Sequence, residues 1–134
     1  MTKFSASALT HLLVVSDWQA SRDWYVRVLD ASVYGEYGGT SVVLELLGNW
    51  LLLVTGGEPT ADKPTVTFTP PVDPDSTSSE IIFRVADCDA TYRLLRSRGA
   101  VFLADPVDSG PEVRAFFRDP DGHLFEISEL TGRG

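Results

Sequence analysis

The chain has 134 residues, 43% of them apolar, which is enough for one domain with its own hydrophobic core. Its net charge of −8 argues against nucleic acid or an anionic membrane as a partner. The single cysteine leaves no internal disulfide, and no run resembles a membrane helix or a cleaved signal peptide, so we expect a cytoplasmic protein.

The first half of the chain, about residues 8–56, is predicted to contain a strand, a helix and three further strands. The run ALTHLLVVS is apolar and rich in β-branched residues, as in a strand. Ser16 or Asp17 can cap the helix that follows, and short β-prone runs punctuated by glycine supply the other strands. The apolar stripe of this helix consists of Ala20, Trp24, Tyr25, Val28 and Leu29.

The second half, about residues 79–130, repeats this order after a proline-rich linker over about 57–78. The linker is predicted to be irregular, with a short extended piece at 65–69. Asp87 is the expected cap of the second helix and Gly99 its end.

The two halves therefore form an internal repeat with the unit βαβββ, in which Asp17 corresponds to Asp87 and Gly48 to Gly122. Two such units can curl into a trough with the helices outside. The sequence predicts an α+β fold in which residues 1–134 form a single domain, built from two βαβββ modules that form a curled mixed β-sheet trough.

Three stretches resemble the vicinal oxygen chelate superfamily, which includes glyoxalase, bleomycin resistance proteins and extradiol dioxygenases. They are HLLVVSDWQASRDWYVRVLD, FRVADCDATYRLLRSRGA and FFRDPDGHLFEISEL. The DPDG turn followed by a strand with one glutamate is the most specific of these features. The resemblance implies a divalent ion at four equivalent positions, on the first and fourth strand of each module, held by His, Glu or Gln.

The residues of this sequence at those four positions differ from the metal ligands that are usual in the family. Glu126, four residues after the DPDG turn, matches the final glutamate of the family, but the equivalent residue of module one is Leu52, which cannot bind a metal. Glu80 stands where the family usually has histidine. Thr10 is the corresponding residue of module one, and His11 is its neighbour.

The equivalent position falls on Thr10, one residue before His11, and side chains alternate across a strand. Two orientations of the His11 side chain are therefore possible. On a regular strand His11 faces the helix layer, whereas a β-bulge would turn it into the cavity. His123 lies three residues before Glu126, on the opposite face, and is interpreted as a surface residue. A two-histidine, one-carboxylate iron site is therefore not expected.

These positions define the candidate site. Its metal ligands are His11, Glu80 and Glu126, and ligands of this type suit Mn, Fe, Ni, Zn or Mg. Glu80 and Glu126 are also the candidate acid/base residues, and without a cation their repulsion should raise one pKa. The candidate substrate-binding side chains are Arg84, Arg114 and Thr10.

Two functions follow from this site. The first is an isomerase, epimerase or lyase that uses a divalent metal as a Lewis acid on a small molecule. The second is a metal-free protein that binds an antibiotic or a cationic metabolite in an apolar trough, as a resistance protein would. In either case the exposed strand edges predict a homodimer.

Overall fold

A computed structural model describes residues 2–134. Module one consists of β1 (Thr10–Val15), α1 (Trp18–Leu29), β2 (Ser32–Tyr37), β3 (Ser41–Leu46) and β4 (Asn49–Thr55). Module two consists of β5 (Ile81–Arg84), α2 (Cys88–Ser97), β6 (Val101–Phe102), β7 (Val107–Asp108), β8 (Glu112–Arg118) and β9 (Leu124–Leu130). Across the described range, neither helix is long and apolar enough to cross a membrane.

Each module forms its own mixed sheet. The first has the strand order β1-β4-β3-β2, and the second has the order β5-β9-β8-β6 with β7 also paired to β8. In each sheet the first strand runs parallel to the last, and the other pairs are antiparallel. The α+β class and the two-module architecture predicted from the repeat are confirmed, and β7 is a short addition to the predicted strands.

Both helices begin where their caps were predicted. The Asp17 side chain accepts hydrogen bonds from the backbone N–H groups of Gln19 and Ala20, and Asp87 accepts one from Ala90. The buried stripe of α1 differs from the prediction, because Ser21 is buried, Ala20 is exposed and Leu29 is only half-buried. Asp17 and Asp87 thus satisfy N–H groups that have no partner within the helix.

One hydrophobic core joins the two modules. Trp24 of α1 lies between them, with its ring centroid 6.3 Å from that of Phe117 on β8 and 6.4 Å from that of Phe125 on β9. Leu13 and Val15 of β1 belong to the same core. One face of each sheet is therefore buried against this core, and the alternating side chains project from the opposite face, called here the outer face.

The linker is irregular, as predicted, and contains an isolated bridge between Gly57 and Phe68 in place of a regular extended piece. It then passes the end of the second sheet. Asp75 forms an ion pair with Arg118 of β8 at 2.7 Å, and Pro74 lies so close to Gly122 that a Cβ there would approach within 3.0 Å. The linker thus borders the turn that precedes β9.

Candidate functional site

The outer face of the second sheet brings Glu80 and Glu126 together. On β9, Glu126 alternates with the core residues Phe125 and Ile127, so it projects to the outer face. Its Cα partner on β5 is Ile82, two residues after Glu80. Glu80 is close enough to Glu126 for its carboxyl group to raise the pKa of Glu126.

Both carboxyl groups are shielded from solvent. Glu126 is only 3% exposed, and the Oε2 atom of Glu80 is buried without a hydrogen-bond partner among the described residues. Burial is the main reason why the pKa of Glu126 is raised, and the neighbouring carboxyl group of Glu80 and the charge of Glu112 raise it further. The nearby Arg114 opposes this shift. Glu126 therefore holds its proton more firmly than a solvent-exposed glutamate would.

The two candidate arginines are held by a second polar group on the same face. Arg84 Nη1 donates to Ser128 Oγ at 2.6 Å, and that hydroxyl donates to Glu112 Oε2 at 2.5 Å. Arg114 Nη1 lies 3.4 Å from Glu112 Oε1, and its guanidinium lies 5.3 Å from the ring centroid of Phe116. The arginines thus contact Glu112 and Ser128, two residues that the sequence analysis did not identify.

Module one offers different chemistry at the equivalent positions. Thr10 pairs with Trp50, and Leu12 pairs with Leu52 across the parallel β1–β4 ladder. Thr10 is exposed and Leu52 is half-buried. These outer-face positions therefore supply one hydroxyl group and one aliphatic side chain, and neither replaces a carboxylate or imidazole ligand.

His11 projects from the opposite side of β1 but reaches a cavity that Glu80 also lines. β1 pairs with β4 residue for residue, without a bulge, so His11 projects to the same side as Leu13 and Val15. It lines a small cavity of about 40 Å³ together with Glu80 and His123. Of the two alternatives for His11, the structure shows the regular strand.

The residues expected to bind a divalent ion do not converge on one point within the described chain. Within residues 2–134, no three His, Cys, Asp or Glu side chains gather in an arrangement that could hold a metal. The expected ligands His11, Glu80 and Glu126 accordingly do not form a triad within one chain. What the chain does assemble is a pair of carboxyl groups that can donate and accept hydrogen bonds.

His123 is not the surface residue that its place after a turn suggested. It is half-buried, and its Nε2 atom lies 2.7 Å from the backbone oxygen of Val14 on β1. This contact links the start of β9 in module two to the end of β1 in module one. The sequence carries no signal for it, because the two residues lie far apart along the chain.

The paired modules and the acidic residue after the DPDG turn define a class of α+β proteins with a shared sheet architecture. The family model of the Glyoxalase/Bleomycin resistance protein/Dioxygenase superfamily matches residues 8–127. The chain therefore belongs to this superfamily. No curated protein matches the sequence.

Solved structures share the fold at low sequence identity. A glyoxalase/bleomycin resistance protein/dioxygenase from Nocardioides has a TM-score of 0.78 at 21% identity, covering 99% of this chain and 89% of that one. TioX from Micromonospora sp. ML1 has a TM-score of 0.71 at 22% identity, with 93% and 99% covered. TnmS3, an antibiotic binding protein from Streptomyces sp. CB03234, has a TM-score of 0.69 at 19% identity, with 97% and 100% covered.

Replacing Glu126 by glutamine is expected to make the protein more stable at pH 7 than the wild type. The folded-state pKa of Glu126 is raised above its ordinary value of 4.5. Its protonated carboxyl group therefore contributes fully to the stability of the folded state below pH 4.5. This contribution is lost as the pH rises through the folded-state pKa. Glu126→Gln removes that loss. Urea unfolding should show that the free energy of unfolding of Glu126→Gln exceeds that of the wild type by more at pH 7 than at pH 4.5.

The matched control is Glu45→Gln, which changes an exposed glutamate on β3. We expect its stability to follow that of the wild type at both pH values. Parallel curves for Glu126→Gln and the wild type would contradict a raised pKa at Glu126.

Proposed function

We propose that this chain is a small-molecule binding protein that works without a resident metal ion and holds its ligand on the outer face of the second sheet. The observation that carries the proposal is the buried Glu126 beside Glu80, whose Oε2 atom lacks a partner among the described residues. A buried polar atom without a hydrogen bond costs stability. Such a cost is explained when a ligand supplies the missing partner.

The ligand we propose carries an amine or a hydroxyl group, as many antibiotics and cationic metabolites do. Two neighbouring carboxyl groups offer several oxygen atoms that can accept hydrogen bonds from such a group. Arg84, Arg114 and Phe116 on the neighbouring strands could contact a polar or aromatic part of the same ligand. The antibiotic-binding name of the structural neighbour TnmS3 supports this ligand class.

We also propose that the protein acts in the cytoplasm as a homodimer. Leu12 and Leu52 of the first outer face are half-buried, and Ile82 of the second is 49% exposed. Contact between the first outer face of one copy and the second outer face of another would cover this apolar surface. It would also enclose a ligand held at the paired glutamates.

The second candidate function is the metal-dependent isomerase, epimerase or lyase expected from the superfamily. The buried Oε2 atom of Glu80 favours it, since a divalent cation is also a suitable partner for a carboxylate oxygen. This function requires at least one further donor, from the substrate or from a second chain.

Thermal unfolding in the presence of different compounds distinguishes the two functions. We expect an antibiotic or an organic amine to raise the melting temperature with EDTA present, because a ligand that binds only the folded state stabilises it. The increase should disappear in Glu126→Gln and persist in Glu45→Gln. An increase that requires Mn²⁺ or Ni²⁺ and is reversed by EDTA would overturn the metal-free proposal in favour of the enzyme.

A further inference from the structure

A shallow cleft of about 460 Å³, called here the linker cleft, lies beside the linker and next to the start of β9. Most of its lining comes from the linker, and five of the lining side chains carry a hydroxyl group. These are Thr69, Ser76, Thr77, Ser78 and Ser79. The linker cleft therefore presents hydroxyl groups, whereas the usual small-molecule pocket is mostly apolar.

The linker cleft adjoins the small cavity of about 40 Å³ that Glu80 lines. The two spaces share four lining residues, which are Pro71, Thr77, Ser79 and His123. One water molecule takes up about 30 Å³ of the liquid, so the small cavity has room for one group of that size, such as a hydroxyl or an amino group. A ligand in the linker cleft can thus extend one polar group to Glu80.

The wall of the linker cleft is held in place by contacts within the chain. The N–H group of Ser76 donates to the backbone oxygen of Asp73 at 3.1 Å and closes a turn. Asp75 in this turn forms the ion pair with Arg118 of β8. Ser76 and Ser78 are exposed, so their hydroxyl groups are accessible to a ligand. Because the wall is already ordered, binding costs little conformational entropy.

The charge of the two spaces comes from carboxylates. Asp73 lines the linker cleft and Glu80 lines the small cavity, and within residues 2–134 no lysine or arginine lines either space. Neither carboxylate forms an ion pair with another described residue. His123 Nε2 donates to the backbone oxygen of Val14, which leaves Nδ1 of the neutral ring as a further acceptor. These groups favour a cationic ligand that carries hydroxyl groups.

We propose that the linker cleft binds the hydroxylated ring of an amino sugar, whose ammonium group enters the small cavity and donates to Glu80. The ring hydroxyls form hydrogen bonds with Ser76, Ser78 and His123. The ammonium group supplies the partner that the buried Oε2 atom of Glu80 lacks among the described residues, and such charge-assisted bonds are strong. This inference rests on the proposed function, since Glu80 belongs to both, and it narrows the ligand to an amine on a hydroxylated ring.

Binding of D-glucosamine at pH 7, followed through the backbone amide signals by NMR, tests the proposal. We expect saturable shifts at residues 76–79 and at His123. N-acetyl-D-glucosamine lacks the ammonium group and cyclohexylamine lacks the hydroxyls, so each should bind about tenfold more weakly. Glu80→Gln should weaken glucosamine binding about tenfold and leave the binding of N-acetyl-D-glucosamine unchanged.

The double variant Ser76→Ala/Ser78→Ala tests the contribution of the hydroxyl groups. We expect about tenfold weaker binding of glucosamine and unchanged binding of cyclohexylamine, because two hydrogen bonds to the ring are lost. The matched control is Ser5→Ala, at an exposed serine outside the linker cleft, which should bind glucosamine as the wild type does.

Three results would overturn the inference. The first is equal glucosamine binding by the wild type and the double variant, and the second is a set of shifts confined to β8 and β9. The third is glucosamine binding no tighter than that of cyclohexylamine. If cyclohexylamine then still binds to the wild type and not to Glu126→Gln, the proposed function stands without the amino sugar. If neither amine shifts any signal, both proposals fail.

Discussion

Replacing Phe125 by alanine is expected to lower the free energy of unfolding by about 4 kcal/mol, because it leaves a large cavity in the shared core. Phe125 is fully buried. Its ring centroid lies 5.3 Å from that of Phe117, 5.8 Å from that of Phe83 and 5.9 Å from that of Tyr25. Since Tyr25 belongs to module one and the other two rings to module two, the cavity would weaken the contact between the modules.

Urea unfolding followed by tryptophan fluorescence measures this loss. A stability of 5–15 kcal/mol is typical of natural domains, so a second variant, Phe125→Leu, keeps the test informative if the alanine variant does not fold. We expect Phe125→Leu to lose about 1.5 kcal/mol. Phe4→Ala, at a side chain that is 93% exposed, should leave the stability unchanged. A loss below about 1 kcal/mol in Phe125→Ala would contradict a single core shared by both modules.

Local features of the sequence were sufficient to predict much of the fold. Asp17 and Asp87 cap their helices because the signal and its effect lie within three residues. Because these caps recur at equivalent places in the two halves, the sequence predicted two modules with the same order of elements. The same local reasoning applies to the face of Glu126, because its distance from the DPDG turn and the alternation of β9 together determine that face.

The rest of the candidate site depends on contacts between strands. Glu112 meets Arg84 only because β8 and β5 lie on opposite sides of β9, with Ser128 between them. Neither the pairing of these strands nor its register is encoded in a short motif. The sequence therefore identified Arg84 and Arg114 as polar groups on the site's face but gave no information about Glu112 and Ser128 as their partners.

The positions of the two histidine side chains also depend on contacts that no short motif encodes. Whether His11 faces the cavity depends on a shift of one residue in β1, and the regular ladder with β4 decides this. His123 contacts the backbone of Val14 in the other module. Such contacts follow from how the modules pack, which neither periodicity nor spacing within a module determines.

A buried polar contact between the modules is centred on Asp119, in the turn before β9. Asp119 is 5% exposed. Its Oδ2 atom accepts a hydrogen bond from the Tyr25 hydroxyl of α1 at 2.7 Å, and its Oδ1 atom accepts from the backbone N–H groups of Asp121 and His123 at 3.0 Å and 2.8 Å. Burial raises the pKa of Asp119, and these bonds oppose that shift. The carboxylate is thus costly to bury but is stabilised by three donors.

Asp119→Ala is therefore expected to lose about 3 kcal/mol of stability, because it leaves the buried Tyr25 hydroxyl and two backbone donors without partners. Asp105→Ala is the matched control: Asp105 also accepts a tyrosine hydroxyl, that of Tyr92, at 2.7 Å, but it is exposed. We expect it to lose less than about 1 kcal/mol. A double-mutant cycle with Tyr25→Phe would measure the bond itself, and we expect the two changes to be less than additive. Additive losses, or equal losses for Asp119→Ala and Asp105→Ala, would show that the buried bond does not hold the modules together.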